Sequence, residues 1–342
     1  MNIRQVRRKL ALGLVVSLLS AGLAACASAN GASTTADGKT VIRYQTYTGM
    51  INLPELADEL GYLKDFQLKP EGVVQGGPEN LRALVSGQVD YAGAFNGAIA
   101  QLASTGAPIT SVISYYGSSG DVTASLLVLK SGGINSARDL IGKKVAVNTL
   151  GANAEAVLDT YLQKGGLSQA EIAKVTLVPL PGINEEAALR EHKVDAAYLS
   201  GAGKESALSR GGLKSIVTDT DLVGPYNGGS LVLRNDFIAK NPTASKNFVA
   251  ALAKALHYTQ THPVDQTRKL MQEWLVAHKR QADADALNLY KGTGVATPDG
   301  VIRDQDFDIW ISWLKSRDDV KADSIKASDL YTNKFNPYAK AS

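Results

Sequence analysis

The feature that most constrains the fold is an alternation, along most of the chain, of short apolar runs with amphipathic segments of helical length. Strands that alternate with helices indicate an α/β protein with largely parallel strands. We expect strands at Val41–Thr46, Leu68–Val74, Val89–Ala94, Ile109–Tyr115, Ser125–Leu129, Lys144–Asn148, Val175–Leu180, Val194–Leu199, Leu213–Val217 and Ser230–Leu233. We expect helices at Leu53–Leu63, Pro78–Ser86, Ala98–Thr105, Asn153–Gly165, Asn184–Glu191 and Gly203–Ser209, and an almost wholly helical chain from Asn241 onward.

A faint internal repeat accompanies this alternation. Val73–Asp90 aligns without gaps with Val178–Asp195, at an offset of 105 residues, and six of the 18 positions are identical. A match of this size can arise by chance between two β-loop-α-β units, or it can mark two similar lobes. With 342 residues, the chain is long enough to bury two cores. Two such lobes would face each other across a cleft, and ligands of such sheets bind at the carboxyl ends of the strands.

The first 26 residues have the pattern of an export signal. Met1–Lys9 is basic, and Leu10–Leu19 is an apolar run of ten residues, too short to span a ~30 Å hydrocarbon core as a helix. The run leads to Leu23–Cys26, which resembles a bacterial lipoprotein box in which Cys26 is lipidated. An ordinary secretory signal cut near Ala25 is the alternative. We expect a signal peptide over residues 1–26, a flexible tether over 27–40, and an extracytoplasmic protein anchored to the membrane through Cys26.

Net charge gives no indication of a nucleic-acid partner. The chain has 36 basic and 33 acidic residues, and four of the basic ones precede Cys26, where no acidic residue occurs. The remainder therefore carries 32 basic against 33 acidic groups and is close to neutral. Without a basic arm or an RNA-binding aromatic signature, a nucleic-acid-binding role is not expected.

Several segments resemble the ABC-transporter solute-binding proteins for aliphatic sulfonates, taurine and nitrate, whose superfamily includes binders of thiamine pyrimidine precursors. The segments are Tyr44–Tyr47, Gly76–Pro78, Ser86–Asp90, Asp139–Val147 and Asp329–Asn333. The resemblance covers nearly the whole chain from Val41 to Tyr338. Its Asp139–Val147 stretch is typical of the superfamily, whereas Tyr44–Gln45 and Gly76–Pro78 favour the sulfonate branch.

The resemblance implies an α/β, type II periplasmic-binding-protein fold with two lobes, a ligand cleft and a hinge of two crossings. Lobe 1 would comprise residues 41–127 and 227–342, including a helical C-terminal region, and lobe 2 residues 128–226. The implied function is capture of a small organic anion, such as an aliphatic sulfonate, and delivery to ABC permease subunits in the membrane. We expect a monomer with no cofactor.

Four strand-to-helix turns are candidates for holding the ligand, because backbone N–H groups and helix dipoles there can bind an anion without arginine. Their residues also serve well as caps and turn formers, which is the alternative for each one alone. In the family, the turn that begins at Asn148 forms the main oxyanion cradle. The turn candidates are Gln45, Thr46, Tyr47, Gly76, Gly77, Asn96, Gly97, Asn148, Leu150, Gly151, Ala152 and Asn153, and the cleft-wall candidates are Tyr116, Tyr198 and Tyr226.

One departure from the sulfonate branch bears on the ligand. Binders of that branch commonly have an aromatic residue and an aspartate after the second-lobe strand, where this chain reads Ala197–Lys204. None of the four turns contains Lys or Arg, which favours a monoanion or a neutral polar ligand over a dianion. A thiamine-type pyrimidine or another flat heterocycle is the alternative ligand, and a non-transport adhesion or scaffold lipoprotein is the alternative class.

Catalysis is not expected. The four histidines lack metal-ligand spacing, and Cys26 is the only cysteine. Gly201–Ser206 fits neither a phosphate loop nor a dinucleotide fingerprint. Ser312–Lys315 matches the S-x-x-K pattern of penicillin-binding proteins but has no companion K-T-G and lies on a core-facing helical stripe. We therefore expect no catalytic residue and no metal site.

Overall fold

A computed structural model describes residues 33–319 and 325–339 of the chain. The expected signal peptide, its lipidation candidate Cys26 and the first part of the expected tether lie outside the described residues. The tether expectation is wrong for its last part, because Thr34 pairs with Thr40 and the Thr35 N–H donates to the Lys39 carbonyl at 2.9 Å. Residues 33–39 therefore form a turn that folds back on the first strand.

Every strand expected from the sequence is present, with ends that differ by a few residues. In chain order they are β1 (Thr40–Tyr47), β2 (Phe66–Val74), β3 (Tyr91–Phe95), β4 (Ile109–Ser118), β5 (Ser125–Leu129), β6 (Lys144–Val147), β7 (Thr176–Pro179), β8 (Ala196–Leu199), β9 (Leu213–Thr218) and β10 (Tyr226–Arg234). In lobe 1, β1 pairs with β2 in parallel, and β10 lies between β3 and β4, antiparallel to both. Lobe 2 has one sheet of order β7-β6-β8-β5-β9, in which β6, β7 and β8 are parallel.

The helices cover the strands and form the C-terminal region. They are α1 (Leu53–Glu59), α2 (Gly77–Val85), α3 (Asn96–Ser104), α4 (Asn153–Lys164), α5 (Gln169–Ile172), α6 (Gly182–Arg190), α7 (Gly201–Ser209), α8 (Asp219–Val223), α9 (Asn235–Lys240), α10 (Pro242–Thr261), α11 (Val264–Ala277), α12 (Gln281–Ala286) and α13 (Gln305–Ser316). The short helices α5, α8 and α9 were not expected from the sequence. Within the described part of the chain, no helix is both long enough and apolar enough to cross a membrane.

The expectation of an almost wholly helical chain from Asn241 onward is wrong for residues 287–304. This stretch contains only isolated 3₁₀ turns. Gly292, Gly294 and Gly300 have φ values of 143°, 68° and 71° there, a left-handed backbone that no helix of L-residues can include. The segment instead runs beside β4, where the Gly117 N–H donates to the Thr293 carbonyl at 3.1 Å.

The internal repeat has a structural basis. In lobe 1 the Arg43 N–H donates to Asp90 Oδ2 at 2.8 Å, and the Asp90 N–H donates back to the Arg43 carbonyl at 2.9 Å. Lys144 and Asp195 form the same pair in lobe 2, with both bonds at 2.8 Å. The two β-α-β units are therefore built alike, and over the aligned segment Val73–Asp90, which includes α2, a residue of one has its counterpart 105 positions later in the other.

Two crossings connect the lobes. The first comprises residues 119–124, between β4 and β5, and the second comprises residues 224 and 225, between α8 and β10. The expected division after residue 127 falls inside β5, whose Ser125–Val128 pair with β8. The expected division after residue 226 falls on Tyr226, which pairs with Ser118 in the lobe 1 sheet.

The C-terminal helix α13 packs against both lobes. Its Trp310 ring lies 4.8 Å from Phe95 of lobe 1, and its Trp313 Nε1 donates to Asp159 of α4 at 3.1 Å. Arg317, just beyond the helix, forms ion pairs with Asp159 and with Glu155, also on α4. Helix α13 and the residue that follows it therefore join the two lobes outside the hinge.

Candidate binding cleft

The two lobes approach each other closely at two of the candidate turns. A Cβ atom added at Gly76, before α2, would lie 2.5 Å from Thr149 Cγ2, before α4. Gly76 is extended (φ −165°), so backbone strain does not require glycine there; the approach of the other lobe does. Gly77 meets a similar limit inside lobe 1, since its Cβ would lie 2.8 Å from the Ala94 Cα. Both glycines therefore allow close packing at the edge of the cleft.

In lobe 1, Gln45 and Tyr47 are held by an asparagine that the sequence analysis did not single out. Asn80 of α2 is 1% exposed; its Nδ2 donates to Gln45 Oε1 at 2.9 Å, and its Oδ1 accepts the Gly93 N–H at 2.8 Å. The Tyr47 hydroxyl donates to the Gly93 carbonyl at 2.7 Å. The sequence did contain a signal for Asn80, because it is a polar residue on the face of an amphipathic helix that is expected to be buried. Asn80 fixes the ends of β1 and β3 relative to each other.

Thr46 is not brought together with its two neighbours. Successive side chains of a strand point to opposite faces, so Thr46 shares the face of Tyr44 rather than that of Gln45 and Tyr47. There it lines a separate cavity of about 650 Å³, between β1, β2 and the side chains of Trp274 and Arg280. Its side chain therefore lies away from the cleft.

Asn96 and Gly97 also have structural roles in the interior of the protein. Asn96 is fully buried, and its Nδ2 donates to the carbonyls of Asn227 and Asp306 at 3.2 and 3.1 Å. Its Oδ1 accepts the Ser230 hydroxyl at 2.8 Å. A Cβ at Gly97 would lie 2.5 Å from the Phe95 ring. Of the candidate pair, Asn96 joins β3 to β10 and to α13, and Gly97 makes room for an aromatic ring.

In lobe 2, one backbone N–H group of the turn before α4 already has a hydrogen-bond partner on that helix. The Gly151 N–H donates to Glu155 Oε2 at 2.8 Å, and Gly151 has a φ of 69°, which explains a glycine there. Ala152 is the buried N-cap residue of α4, Asn148 is half-buried, and Leu150 is 49% exposed at the rim. The carboxylate of Glu155 therefore occupies part of the expected oxyanion cradle, which weakens it as an anion site.

Asn153 connects two of the candidate tyrosines. Its Oδ1 accepts the Tyr198 hydroxyl at 3.0 Å, and its Nδ2 donates to the Tyr226 hydroxyl at 3.0 Å. Tyr198 and Tyr226 are 7% and 2% exposed. Burial raises the pKa of both hydroxyls well above the ordinary value. The two rings, one from each lobe, therefore form a neutral, fixed pair beside the hinge.

The rings of Tyr116 and its neighbour Tyr115 are more accessible to a solute than those of Tyr198 and Tyr226. Their centroids are 4.9 Å apart with an edge-to-face angle of 77°, and Tyr116 packs over Gly228 and Gly229 of β10. Both residues are half-buried, and among the residues that the structure describes neither hydroxyl has a hydrogen-bond partner. Burial raises the pKa of both hydroxyls well above the ordinary value, so they remain neutral donors.

A buried carboxylate links the two crossings. Asp219 is 1% exposed and accepts hydrogen bonds from the Ser118 hydroxyl at the end of β4, from the Ala124 N–H before β5, and from the Tyr226 hydroxyl at the start of β10. Burial raises its pKa above the ordinary value for aspartate. The sequence analysis missed Asp219, because its partners come from distant parts of the chain. A single side chain therefore ties both strands of the hinge.

The charged groups at the edge of the cleft are already engaged. Glu79 and Glu155 each accept a backbone N–H at the start of a helix, from Gln75 and Gly151. The nearby cations are paired with carboxylates, Arg317 with Glu155 and Lys204 with Glu205. The arrangement suits a neutral or weakly basic molecule better than a strong anion.

The fold and cleft define a class of two-lobed proteins, and comparison with known families places the chain within it. A model of the NMT1/THI5-like family matches residues 55–266, more than half of the chain, and the chain belongs to that family. A candidate binding protein of Brucella abortus (strain 2308) is 26% identical over 221 residues, which are 63% of this chain and 65% of that protein. The chain thus matches less than two thirds of the length of this curated relative.

Solved structures confirm the type II periplasmic-binding-protein fold. A protein from Bordetella bronchiseptica RB50 has a TM-score of 0.69 and 21% identity, over 87% of this chain and 96% of its own. The alkanesulfonate-binding protein SsuA from Xanthomonas axonopodis pv. citri, bound to MOPS, has a TM-score of 0.65 and 17% identity, over 88% and 99%. The desulfurization enzyme DSZB also shares the fold, with a TM-score of 0.60 and 13% identity over 86% and 97%. The fold alone therefore does not separate binding proteins from enzymes.

Proposed function

We propose that the chain is the solute-binding component of an ABC importer and that it captures a small organic solute between its lobes. The observation that carries this proposal is the tyrosine cluster at the cleft, where Tyr115 and Tyr116 present hydroxyls without a partner among the described residues. Two lobes joined by a two-stranded hinge can close around a solute by rotation. Membership of the NMT1/THI5-like family supports the proposal.

The solute that the cleft suits best is flat and either uncharged or weakly basic. The half-buried ring of Tyr116 offers a surface on which a flat ring can stack. The cations Arg317 and Lys204 are each engaged by a carboxylate, so neither is free to neutralise a strong anion. A nitrogen heterocycle fits both features.

An aliphatic sulfonate is the second candidate. The tyrosine hydroxyls at positions 115 and 116 are hydrogen-bond donors, and the start of α4 faces the cleft edge beside Thr149, where a helix dipole favours negative charge. The structural likeness to the alkanesulfonate-binding SsuA is in line with this choice. The carboxylate of Glu155 would compete with a sulfonate at this place, because it already accepts a hydrogen bond from the Gly151 N–H.

The proposal also includes the membrane anchor and the partners of the protein. Lipidation at Cys26 would anchor the chain to the outer side of a membrane, and a tether over the residues that follow would let the lobes reach a permease. The expected partners are the solute and the permease subunits, with ATP hydrolysis on a separate subunit. The lobes themselves would perform no catalysis and act as a monomer.

Calorimetric titration tests the proposal with one probe from each solute class. The full-length chain, produced with its leader and purified in detergent, is titrated with 4-aminopyridine and with ethanesulfonate, and thermal unfolding is followed in parallel. We expect one class to bind and to raise the unfolding temperature, since a ligand present at a hundredfold excess over Kd adds about 2.7 kcal/mol of stability.

Two variants locate the bound solute. Tyr116→Ala removes a ring from the cleft and should weaken binding at least tenfold, whereas Tyr62→Ala, which removes a surface ring that is 38% exposed, should leave affinity unchanged. If neither solute class binds, or if Tyr116→Ala has no more effect than Tyr62→Ala, the cleft is not a solute site and the proposal fails.

A further inference from the structure

Glu185 is a buried carboxylic acid with no hydrogen-bond partner among the residues that the structure describes. It lies in the first turns of α6, is 2% exposed, and no described residue forms a hydrogen bond with its Oε1. Burial raises its pKa to about 8. Buried polar groups are nearly always hydrogen-bonded, and an unpaired one lowers stability. The folding of lobe 2 therefore does not explain why an unpaired carboxyl group is present at this position.

The internal repeat shows where the Glu185 side chain points. Its counterpart in lobe 1, 105 positions earlier, is Asn80, whose amide reaches the carboxyl ends of β1 and β3 through Gln45 and Gly93. The same β-α-β geometry in lobe 2 directs Glu185 to the carboxyl ends of β6 and β8. In lobe 1 the position is occupied by an amide that is fully satisfied, and in lobe 2 by an acid that is not.

The first turn of α6 borders the cleft. Ile183, two residues before Glu185, is 66% exposed. A Cβ atom added at Gly49 of lobe 1 would lie 3.9 Å from Ile183 Cγ2, so this turn faces the loop after β1 across the gap between the lobes. A solute that occupies the cleft between these elements comes within reach of a side chain directed to the ends of β6 and β8.

We propose that Glu185 is the specificity-determining residue of lobe 2 and that it accepts a hydrogen bond from an N–H group of the solute, such as an amino group conjugated to a ring nitrogen. This inference rests on the proposed function and narrows its solute class. Glu185 as a neutral acid can hold a neutral heterocycle whose amino group is on the carbon next to a ring nitrogen, by donating its proton to that nitrogen while its other oxygen accepts the amino N–H. With a cationic heterocycle, Glu185 binds as the carboxylate and its proton passes to the solvent.

Proton release on binding is the decisive measurement. The chain is titrated at pH 7 with 4-aminopyridine, which is a cation at that pH, in phosphate and in Tris, whose ionisation enthalpies differ. The heat difference between the two buffers gives the number of protons released. We expect close to one proton released by the native chain, and at least tenfold tighter binding of 4-aminopyridine than of pyridine, which lacks the amino group.

Three variants assign the effect to this carboxyl group. Glu185→Gln should abolish the proton release, and Glu185→Leu should weaken 4-aminopyridine binding at least tenfold. Glu191→Gln makes the same chemical change at an exposed position just after α6 and should behave as the native chain does. Because the substituted carboxyl group has no partner, Glu185→Leu should unfold at or above the native temperature at pH 8, which shows that lost binding is not lost folding.

The outcomes separate this inference from the proposed function. Binding of 4-aminopyridine without proton release, affinity that Glu185→Leu leaves unchanged, or failure of 4-aminopyridine to bind overturns the role of Glu185. In each of these cases, binding of ethanesulfonate that depends on Tyr116 keeps the solute-binding proposal in place. Failure of both solutes to bind, or binding that Tyr116→Ala weakens no more than Tyr62→Ala does, overturns the two together.

Discussion

At the scale of single residues, the unpaired carboxyl group of Glu185 makes the stability of the protein depend on pH. Its pKa is about 8 in the native state and 4.5 in a model peptide, so between these values the unfolded chain binds fewer protons than the native one. Stability is therefore fully present below about pH 4.5 and falls as the pH rises toward 8. At ~1.4 kcal/mol per pKa unit the loss is on the order of 4 kcal/mol.

Urea unfolding of the native chain and of Glu185→Gln measures this loss. The free energy of unfolding of the variant, relative to the native chain, should increase by several kcal/mol between pH 5 and pH 8. The raised pKa values of Glu55, Asp159 and Asp219 give slopes that both proteins share and that cancel in the comparison. A difference that stays constant over this range would mean that Glu185 is ionised in the native cleft.

Asp219 gives a second prediction at this scale. Asp219→Asn keeps the shape but turns one acceptor atom into an NH₂ group, so it cannot accept hydrogen bonds from Ser118, Ala124 and Tyr226 at once. We expect a loss of about 2 kcal/mol in the free energy of unfolding, from a buried donor left unsatisfied. Asp221→Asn, an exposed cap position two residues further on, should cost less than half as much. Equal losses would mean that the hinge contacts of Asp219 contribute nothing specific.

At the scale of elements, the ion pairs of Arg317 fasten the segment after α13 to α4. Its guanidinium lies 2.7 Å from Asp159 and 4.8 Å from the centre of the Trp313 ring, and both carboxylate partners are largely buried. Arg317→Ala should therefore cost about 2–3 kcal/mol of stability, because it leaves buried charges unpaired. Lys269→Ala, which breaks the exposed pair with Glu273 on α11, should cost less than about 0.5 kcal/mol in the same urea unfolding assay. A small loss for Arg317→Ala would show that packing alone holds α13.

The elements also show what the sequence can and cannot predict. Strands such as β5 were placed to the residue, because apolar alternation and turn residues are local signals. Thr46 was assigned to the cleft although the period of two in a strand already excludes it from the face of Tyr47. Asn96 could not be assigned correctly from local pattern, since its partners Asn227 and Asp306 are 131 and 210 residues away. A local sequence pattern does not show which polar residues will be buried by contacts with distant parts of the chain.

At the scale of the whole molecule, the close approach of Gly76 to Thr149 makes the relative position of the lobes sensitive to one side chain. A valine at position 76 would place carbon atoms where the Thr149 methyl group now lies, while its extended backbone accepts a β-branched residue without strain. Contacts across the cleft form only when the lobes are closed. Gly76→Val should therefore hold the lobes apart without unfolding either of them.

A shift toward an open form lowers affinity, because the solute must then supply the free energy of closure. We expect Gly76→Val to weaken binding of whichever probe the native chain takes by at least tenfold, with the unfolding temperature of the empty protein nearly unchanged. Thr149→Ser removes the opposing methyl group and should restore part of the affinity in the double variant. Gly132→Val, at an exposed glycine beyond β5 with room for a side chain, should bind as the native chain does. Undiminished binding by Gly76→Val would mean that the lobes need not approach this closely to hold the solute.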